Sequence, residues 1–222
     1  MIRPRRAGRG LLLVLLAVLP EGALAQTGDG CRVVIDFGDS VVGDFPAGWQ
    51  ARDDAARATY RVMAEGGIRF VRATAEGTGS QMGREFQWDA AAHPVLSWRW
   101  RPRVFAPGSD ERDGARNDSS LAVYAVFGST SVLTRAVKYV WSRVVPVATT
   151  IATGRARVIV LRSGPPSNGE WVTETVHVGR DYQRLYDEAP GPARGVAVLT
   201  DADQTRSRAV GDYGPFRICP AP

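Results

Sequence analysis

The feature that most constrains the fold is a succession of short apolar runs separated by glycine, proline, aspartate or asparagine. The runs are rich in β-branched and aromatic residues, which is typical of strands. Eleven strands are predicted: Arg32 to Phe37, Thr59 to Ala64, Ile68 to Ala73, Ser80 to Phe86, Val95 to Arg101, Ser120 to Phe127, Arg135 to Trp141, Arg157 to Arg162, Trp171 to Val178, Gly195 to Asp201 and Val210 to Ile218.

Helical periodicity is confined to Asp181 to Ala189, and Pro190 ends that segment. Eleven strands with one short helix predict an all-β fold, a two-sheet antiparallel β-sandwich, rather than alternating strand and helix units. The run Glu65-Gly66-Gly67 predicts a hairpin turn. The long irregular stretch Pro102 to Ser119 predicts a functional or mobile loop.

The first 25 residues have the three regions of a secretory signal peptide. A cationic start, Arg3 to Arg9, leads into the apolar stretch Leu11 to Leu19 and then Ala23-Leu24-Ala25. The apolar stretch is much shorter than the roughly 20 residues of a membrane span, so we expect cleavage after Ala25 rather than an anchor. The sequence thus predicts a periplasmic or secreted protein in which residues 26 to 222 form one domain with no membrane span.

The net charge of +5 depends largely on this leader. Four of the 28 basic residues and one of the 23 acidic residues lie within the first 25, which leaves 24 against 22. No basic block occurs in the remainder, so a nucleic-acid partner is not expected.

The two cysteines, Cys31 and Cys219, lie near opposite ends of the predicted mature chain. In an oxidising compartment they are expected to form a disulfide that links the first strand to the last, and two free thiols are the alternative.

Several segments together resemble a bacterial family of secreted proteins catalogued only as a domain of unknown function, number 3047. The segments are Phe45 to Trp49, Pro94 to Trp100, Tyr124 to Phe127, Lys138 to Trp141, Val158 to Gly164, Trp171 to Glu174, Asp181-Tyr182 and Leu199 to Thr205. The resemblance implies a jelly-roll sandwich similar to galactose-binding-like and carbohydrate-binding modules, and it implies no established activity.

The aromatic strands offer candidate ligand-binding residues. Alternation places Trp98 and Trp100 on one face of their strand, where they fill the core or stack on a sugar. In the next aromatic strand, Tyr139 and Trp141 share a face opposite Val140, and we expect this aromatic pair to be exposed.

Charged residues complete the predicted ligand site. Glu174 lies in line with three valines, so it is either paired with an arginine such as Arg99 or Arg157, or placed in a pocket. The predicted ligand-binding set is Arg99, Asp118, Tyr139, Trp141 and Glu174, with Asp118 at the rim.

Oxygen-bearing side chains alternate in the segment Asp201 to Thr205. Asp201, Asp203 and Thr205 have the spacing with which a tight loop wraps a hard cation, so they are candidate ligands for a structural calcium ion. Local Asx turns are the alternative interpretation. No other cofactor is expected.

Catalytic motifs are scarce in this sequence. Two histidines and two terminal cysteines argue against a zinc site or a cysteine nucleophile, and no G-x-S-x-G motif occurs. Two kinds of chemistry remain open: hydrolysis by two carboxylates, as in glycoside hydrolases, and lyase chemistry by tyrosine and arginine. The candidate acids are Asp113, Asp118, Glu174 and Asp181. The leading hypothesis is a non-catalytic module that binds a glycan or another cell-envelope ligand. A carbohydrate-active enzyme and a structural envelope protein are the alternatives.

Overall fold

The computed structural model describes residues 30–128, 134–154, 156–165 and 169–221. The predicted signal peptide lies outside these residues. The strands are β1 (Arg32–Ile35), β2 (Gln50–Ala51), β3 (Tyr60–Glu65), β4 (Ile68–Glu76), β5 (Gly79–Trp88), β6 (Val95–Val104), β7 (Leu121–Phe127), β8 (Arg135–Ser142), β9 (Thr150–Thr153), β10 (Ala156–Ser163), β11 (Val172–His177), β12 (Ala193–Asp201) and β13 (Arg208–Cys219). The helices are α1 (Asp54–Thr59) and α2 (Val178–Tyr186).

The strands form two sheets. Sheet A has the order β11-β6-β13-β4-β3, with β1 also paired to β13, and sheet B has the order β2-β5-β12-β7-β8-β10-β9. The pairings between described strands are antiparallel except that of β8 with β10, which is parallel. The predicted β-sandwich is therefore confirmed, with two short helices rather than one.

The core lies between the two sheets and is rich in aromatic side chains. Trp98 and Trp100 of sheet A are almost fully buried, and their rings lie 5.6 and 5.7 Å from Tyr139 and Trp141 of sheet B, respectively. The interpretation of Trp98 and Trp100 as core residues is confirmed. Burying several large aromatic rings in one layer supplies much of the apolar area that stabilises a sandwich of this size.

All eleven predicted strands are present, and their ends differ from the prediction by at most three residues. Strand β2 has only two residues, and β9 is a largely exposed edge strand without apolar alternation, so neither was predicted. Helix α1 was also missed because six residues are too few to show a periodicity; Asp53 caps it by accepting a hydrogen bond from the Ala56 amide.

Helix α2 occupies Val178–Tyr186, three residues earlier at each end than predicted. His177 caps it, since its Nδ1 accepts a hydrogen bond from the Arg180 amide at 3.1 Å. The hairpin between β3 and β4 is confirmed: Gly66 and Gly67 have φ values of 59° and 78°, which side chains other than glycine rarely adopt.

The predicted disulfide is confirmed. Cys31 and Cys219 are bonded, with Cα atoms 4.1 Å apart, and no free cysteine occurs among the described residues. The bond joins residues 188 positions apart, next to the pairing of β1 with β13. No described helix is both long and apolar enough to cross a bilayer.

Candidate functional site

The prediction that Tyr139 and Trp141 are exposed is wrong. Tyr139 is fully buried and Trp141 is 3% exposed. The hydroxyl of Tyr139 donates to Asp181, and the indole of Trp141 donates to the carbonyl of Gly164. The aromatic residues of β8 face the core because Val140, on the other side of the strand, packs into a separate apolar cluster outside the sandwich interior.

Arg99 and Glu174 do not form a common site, because they lie on opposite faces of sheet A. Glu174 opposes Trp98 in the register and faces the interior, whereas Arg99 opposes Thr173 and faces outward. Glu174 accepts a hydrogen bond from the indole of Trp100 and is paired with Arg162, so its partner is neither Arg99 nor Arg157. This carboxylate has a structural ion pair.

Asp118 is fully buried rather than at a rim. Its carboxylate accepts hydrogen bonds from the amides of Gln204 and Thr205 and from the Thr205 hydroxyl. These bonds hold the loop after β12 against the loop before β7. Burial of this kind makes Asp118 a structural residue of the loop junction.

The predicted cation site gains Asp118 as a third carboxylate. One oxygen from each of Asp118, Asp201 and Asp203 lies within 4.8 Å of the others. Burial raises the pKa of Asp201 to about 7, and the neighbouring Asp203 adds to the rise. Three carboxylates are a donor set that suits calcium, whereas the Thr205 hydroxyl is directed at Asp118. The calcium set Asp201, Asp203 and Thr205 stays a prediction, and Asp118 is a further carboxylate in the same cluster.

The four candidate catalytic acids all have protein partners. Besides Asp118 and Glu174, Asp113 pairs with Arg116 in the loop after β6, and Asp181 pairs with Arg184 in α2. Acids that are held in separate elements by local hydrogen bonds are typical of structural roles.

A shallow trough crosses the outward face of sheet B. The register places Gly83, Ala197, Tyr124 and Lys138 side by side across β5, β12, β7 and β8. The next row contains Gly195, Val126, Ala136 and Ala156. These eight residues define the trough. Because most of them are small, the trough floor lies low between the longer side chains around it.

Two adjoining depressions make up the trough and share the lining residues Gln81, Val126 and Thr134. Their volumes are about 310 and 380 Å³, and ligand sites span roughly 300 to 1,000 Å³. The polar side chains at the edge are Gln50, Arg52, Gln81, Arg84, Glu85, Thr134, Arg135, Thr153 and Arg194.

Tyr124 is the aromatic residue among those that line the trough, and it is half-buried. The Lys138 ammonium lies 5.7 Å from its ring centroid and donates to the Ser119 hydroxyl at 2.9 Å. Since Lys138 is only 8% exposed, its position is fixed by these contacts. The tyrosine ring therefore has a fixed cationic neighbour on the trough surface.

A buried carboxyl lies near this lysine. Burial raises the pKa of Glu111, which accepts a hydrogen bond from the Ser142 hydroxyl, while its other oxygen, Oε1, has no hydrogen-bond partner. Glu111 belongs to the long loop after β6, so this loop is packed against the trough side of sheet B.

The prediction of a loop at Pro102 to Ser119 holds only from residue 105, because β6 continues to Val104.

Sequence reasoning missed the trough because no single motif marks it. The available signal was the repeated placement of glycine or alanine at outward positions of adjacent strands, as at Gly83, Ala136 and Ala197. This signal becomes visible only once the strand order is known.

Comparisons with solved structures concern the fold alone. A family 11 carbohydrate-binding module of a cellulosomal cellulase of Clostridium thermocellum is 7% identical, with 88% of this chain and 97% of that chain covered and a TM-score of 0.45. A family 61 carbohydrate-binding module bound to β-1,4-galactotriose is 11% identical, with coverages of 81% and 92% and a TM-score of 0.40. The family 11 xylanase from Neocallimastix patriciarum is 13% identical, with coverages of 90% and 99% and a TM-score of 0.37.

Among curated proteins, none matches this chain. Residues 47–217, most of the two sheets, match a family that is described as a protein of unknown function. The chain therefore belongs to that family, DUF3047.

Proposed function

We propose that this protein is an extracytoplasmic, non-catalytic module that binds a glycan in the trough of sheet B. The disulfide between Cys31 and Cys219 supports a location in an oxidising compartment. The single observation that carries the binding proposal is the half-buried ring of Tyr124 in a floor of small residues.

A sugar ring needs both an apolar and a polar surface. Its C–H face packs on an aromatic ring, and its hydroxyls need hydrogen-bond partners at the edge of the site. Tyr124 supplies the ring, and Gln81, Arg135 and Thr153, which line the same depression, are among the side chains that supply donors and acceptors around it. The trough therefore offers both surfaces that a saccharide requires.

The shape of the trough favours an extended ligand. Two depressions adjoin on the sheet and share the lining residues Gln81, Val126 and Thr134, so we expect one ligand to reach both. A short oligosaccharide can lie across both, whereas a single sugar would fill only one.

Binding of neutral oligosaccharides on a glycan array, followed by titration calorimetry with the tightest one, tests this proposal. Tyr124→Ala is expected to weaken binding by about 1 to 3 kcal/mol, because it removes the stacking surface from a site that remains folded. Tyr124→Phe keeps the ring and should bind more tightly than the alanine variant.

Gly83→Val is a sharper variant because it fills the trough floor. A Cβ atom at Gly83 would lie 3.7 Å from the Val196 carbonyl oxygen and 3.8 Å from the Ala197 Cβ, which are ordinary contacts. The strand therefore has room for the Cβ atom of a valine, and we expect the two methyl groups to occupy ligand space. Thr150→Val, at an exposed position of β9 that lines neither depression, is the matched control and should bind like the wild type.

The outcome that contradicts the proposal is a glycan that binds equally well to the wild type and to Gly83→Val, with both proteins folded. Absence of any ligand on the array would contradict it as well.

A further inference from the structure

The outward face of sheet A has a different composition from the trough. It is dominated by arginines, and we name it the arginine face. Its members on the central strands and at the edge are Phe70, Arg72, Arg99, Arg101, Arg103, Trp171 and Asp212.

Asp212 organises the middle of the arginine face. It is fully buried, and it accepts hydrogen bonds from Arg72, Arg101 and Arg103 at 2.7 to 3.0 Å. Glu65 also pairs with Arg101 and Arg103. Three guanidinium groups thus share two carboxylates, so the network has a net positive charge.

Arg99 adds a further positive charge. Its guanidinium lies 5.4 Å from the Trp171 ring centroid, and no ion pair joins it to a carboxylate within the described parts of the chain. Trp171 also contacts Arg101 at 4.5 Å and packs edge-on against Phe70 at 5.2 Å. Arginines held on aromatic rings lose little freedom when they bind an anion.

The arginine face leads into a cavity of about 540 Å³ beside the disulfide. Its lining includes the cationic or titratable residues His177, Arg180 and Arg217 but no carboxylate side chain. Three hydroxyl side chains, Ser97, Thr173 and Thr175, line it too, and Thr173 lies opposite Arg99 in the register.

We propose that the arginine face and this cavity bind an acidic polysaccharide, a chain of sugars that carry carboxylate groups. This inference goes beyond the proposed function, because it concerns the opposite face of the sandwich and a charged ligand. Guanidinium groups bind carboxylates, while the intervening serine and threonine hydroxyls match sugar hydroxyls.

The spacing of the face suits a repeating ligand. Arg99 and Arg103 lie four positions apart on the same side of β6, so their side chains start roughly 13 Å apart along the strand, with the buried Arg101 between them. With Ser97 at the cavity end, the row extends over roughly 20 Å. A polymer with regularly placed charges can contact several of these groups at once, whereas a single small anion contacts one.

An acidic polysaccharide fits the face better than nucleic acid or lipid does. The disulfide indicates an oxidising compartment, where nucleic acid is not the ordinary polyanion. A lipid headgroup layer would meet the exposed arginines but would leave the hydroxyl-lined cavity without a matching group.

Titration of the full chain with polygalacturonate and with its methyl ester tests the proposal, because esterification removes the negative charge of each carboxylate. Polygalacturonate should bind at least tenfold more tightly, with an affinity that falls as salt increases. Arg180→Gln and Arg99→Gln should each weaken its binding at least fivefold.

Arg184→Gln is the matched control. It lies on the same helix as Arg180, but its guanidinium pairs with Asp181 and does not line the cavity. Its affinity should stay within twofold of the wild type.

Equal binding of both probes would overturn the proposal, as would equal losses in Arg180→Gln and Arg184→Gln. Tighter binding to single-stranded DNA or to phosphatidylglycerol vesicles than to polygalacturonate would overturn it in favour of those ligands. A Tyr124→Ala protein that still prefers polygalacturonate over its ester shows that the two faces act separately, so failure of one proposal leaves the other intact.

Discussion

The two outward faces of this sandwich differ more from each other than the two inner faces do. The outward face of sheet A carries long charged side chains fixed around Asp212, whereas the outward face of sheet B carries glycines, alanines and one half-buried tyrosine. Strand alternation produces both, because it decides only which residues point away from the core. The size and charge of the outward residues then decide whether a face is a charged surface or a trough.

The largest expected effect concerns the aromatic layer that separates the two faces. Trp141→Ala should destabilise the protein by about 3 to 5 kcal/mol, because it leaves a cavity beside Trp100. Chemical denaturation measures this loss. Tyr124→Ala, on the trough side of the same sheet, should cost less than half as much. A larger loss of stability for Tyr124→Ala than for Trp141→Ala would contradict the assignment of Trp141 to the core.

The next effect breaks the arginine face itself. Asp212→Asn should cost about 2 to 4 kcal/mol, since it leaves Arg72, Arg101 and Arg103 without their central carboxylate. Asp113→Asn removes an exposed partner of Arg116 and should cost far less, because solvent screens that pair. Similar costs for the two variants would mean that the network contributes no more than a surface pair.

A smaller effect sharpens the comparison through binding. Arg99→Gln should weaken polygalacturonate binding and leave neutral-oligosaccharide binding unchanged, and Tyr124→Ala should do the reverse. The free energy of unfolding should stay within about 0.5 kcal/mol of the wild type for Arg99→Gln and within about 1 kcal/mol for Tyr124→Ala. Parallel titrations of both proteins measure this, and a variant that loses both ligands would show that the faces are coupled.

The pH dependence of stability separates the faces further. Burial opposes ionisation of Asp212, but hydrogen bonds from Arg72, Arg103 and Arg101 together hold its pKa below the usual value. Its contribution is therefore present above the ordinary carboxylate pKa and is lost as the pH falls through the lower, folded-state pKa. Unfolding measured from pH 6 to pH 2.5 should show a steeper acid loss for the wild type than for Asp212→Asn; parallel curves would contradict this.

The smallest expected effect concerns the cluster of Asp118, Asp201 and Asp203 beside sheet B. Calcium held by Asp118, Asp201 and Asp203 should raise stability by about 1 kcal/mol when its free concentration exceeds the dissociation constant several-fold. Thermal unfolding with and without calcium measures this, with Asp203→Asn as the control. An identical unfolding temperature in about 5 mM calcium and in chelator would show that no calcium binds at this site.

The sequence allowed the strands to be predicted, but not which side of each strand is buried. In β8, both alternating sets contain apolar residues: Tyr139 and Trp141 on one side, Val140 on the other. Only the second apolar cluster outside the sandwich, which includes Val140, explains the orientation. Local patterning carries no information on such a cluster, because its members come from different strands.

Contacts between distant residues were the other limit. Asp118 lies close to Asp201, and Glu174 pairs with Arg162. Both contacts depend on the strand order and on the paths of the loops. The disulfide was the exception, since a chain with two cysteines allows only one pairing.

The bond between Cys31 and Cys219 has a mechanical consequence. A pulling force applied to the chain before Cys31 and after Cys219 passes through the sulfur atoms and bypasses the segment between these residues, which are 188 positions apart. Neither sheet carries the load, so both outward faces keep their shape under tension. After reduction of this bond, the same force would act on the strands themselves. The pairing of β1 with β13, which lies next to the two cysteines, would be the first to separate.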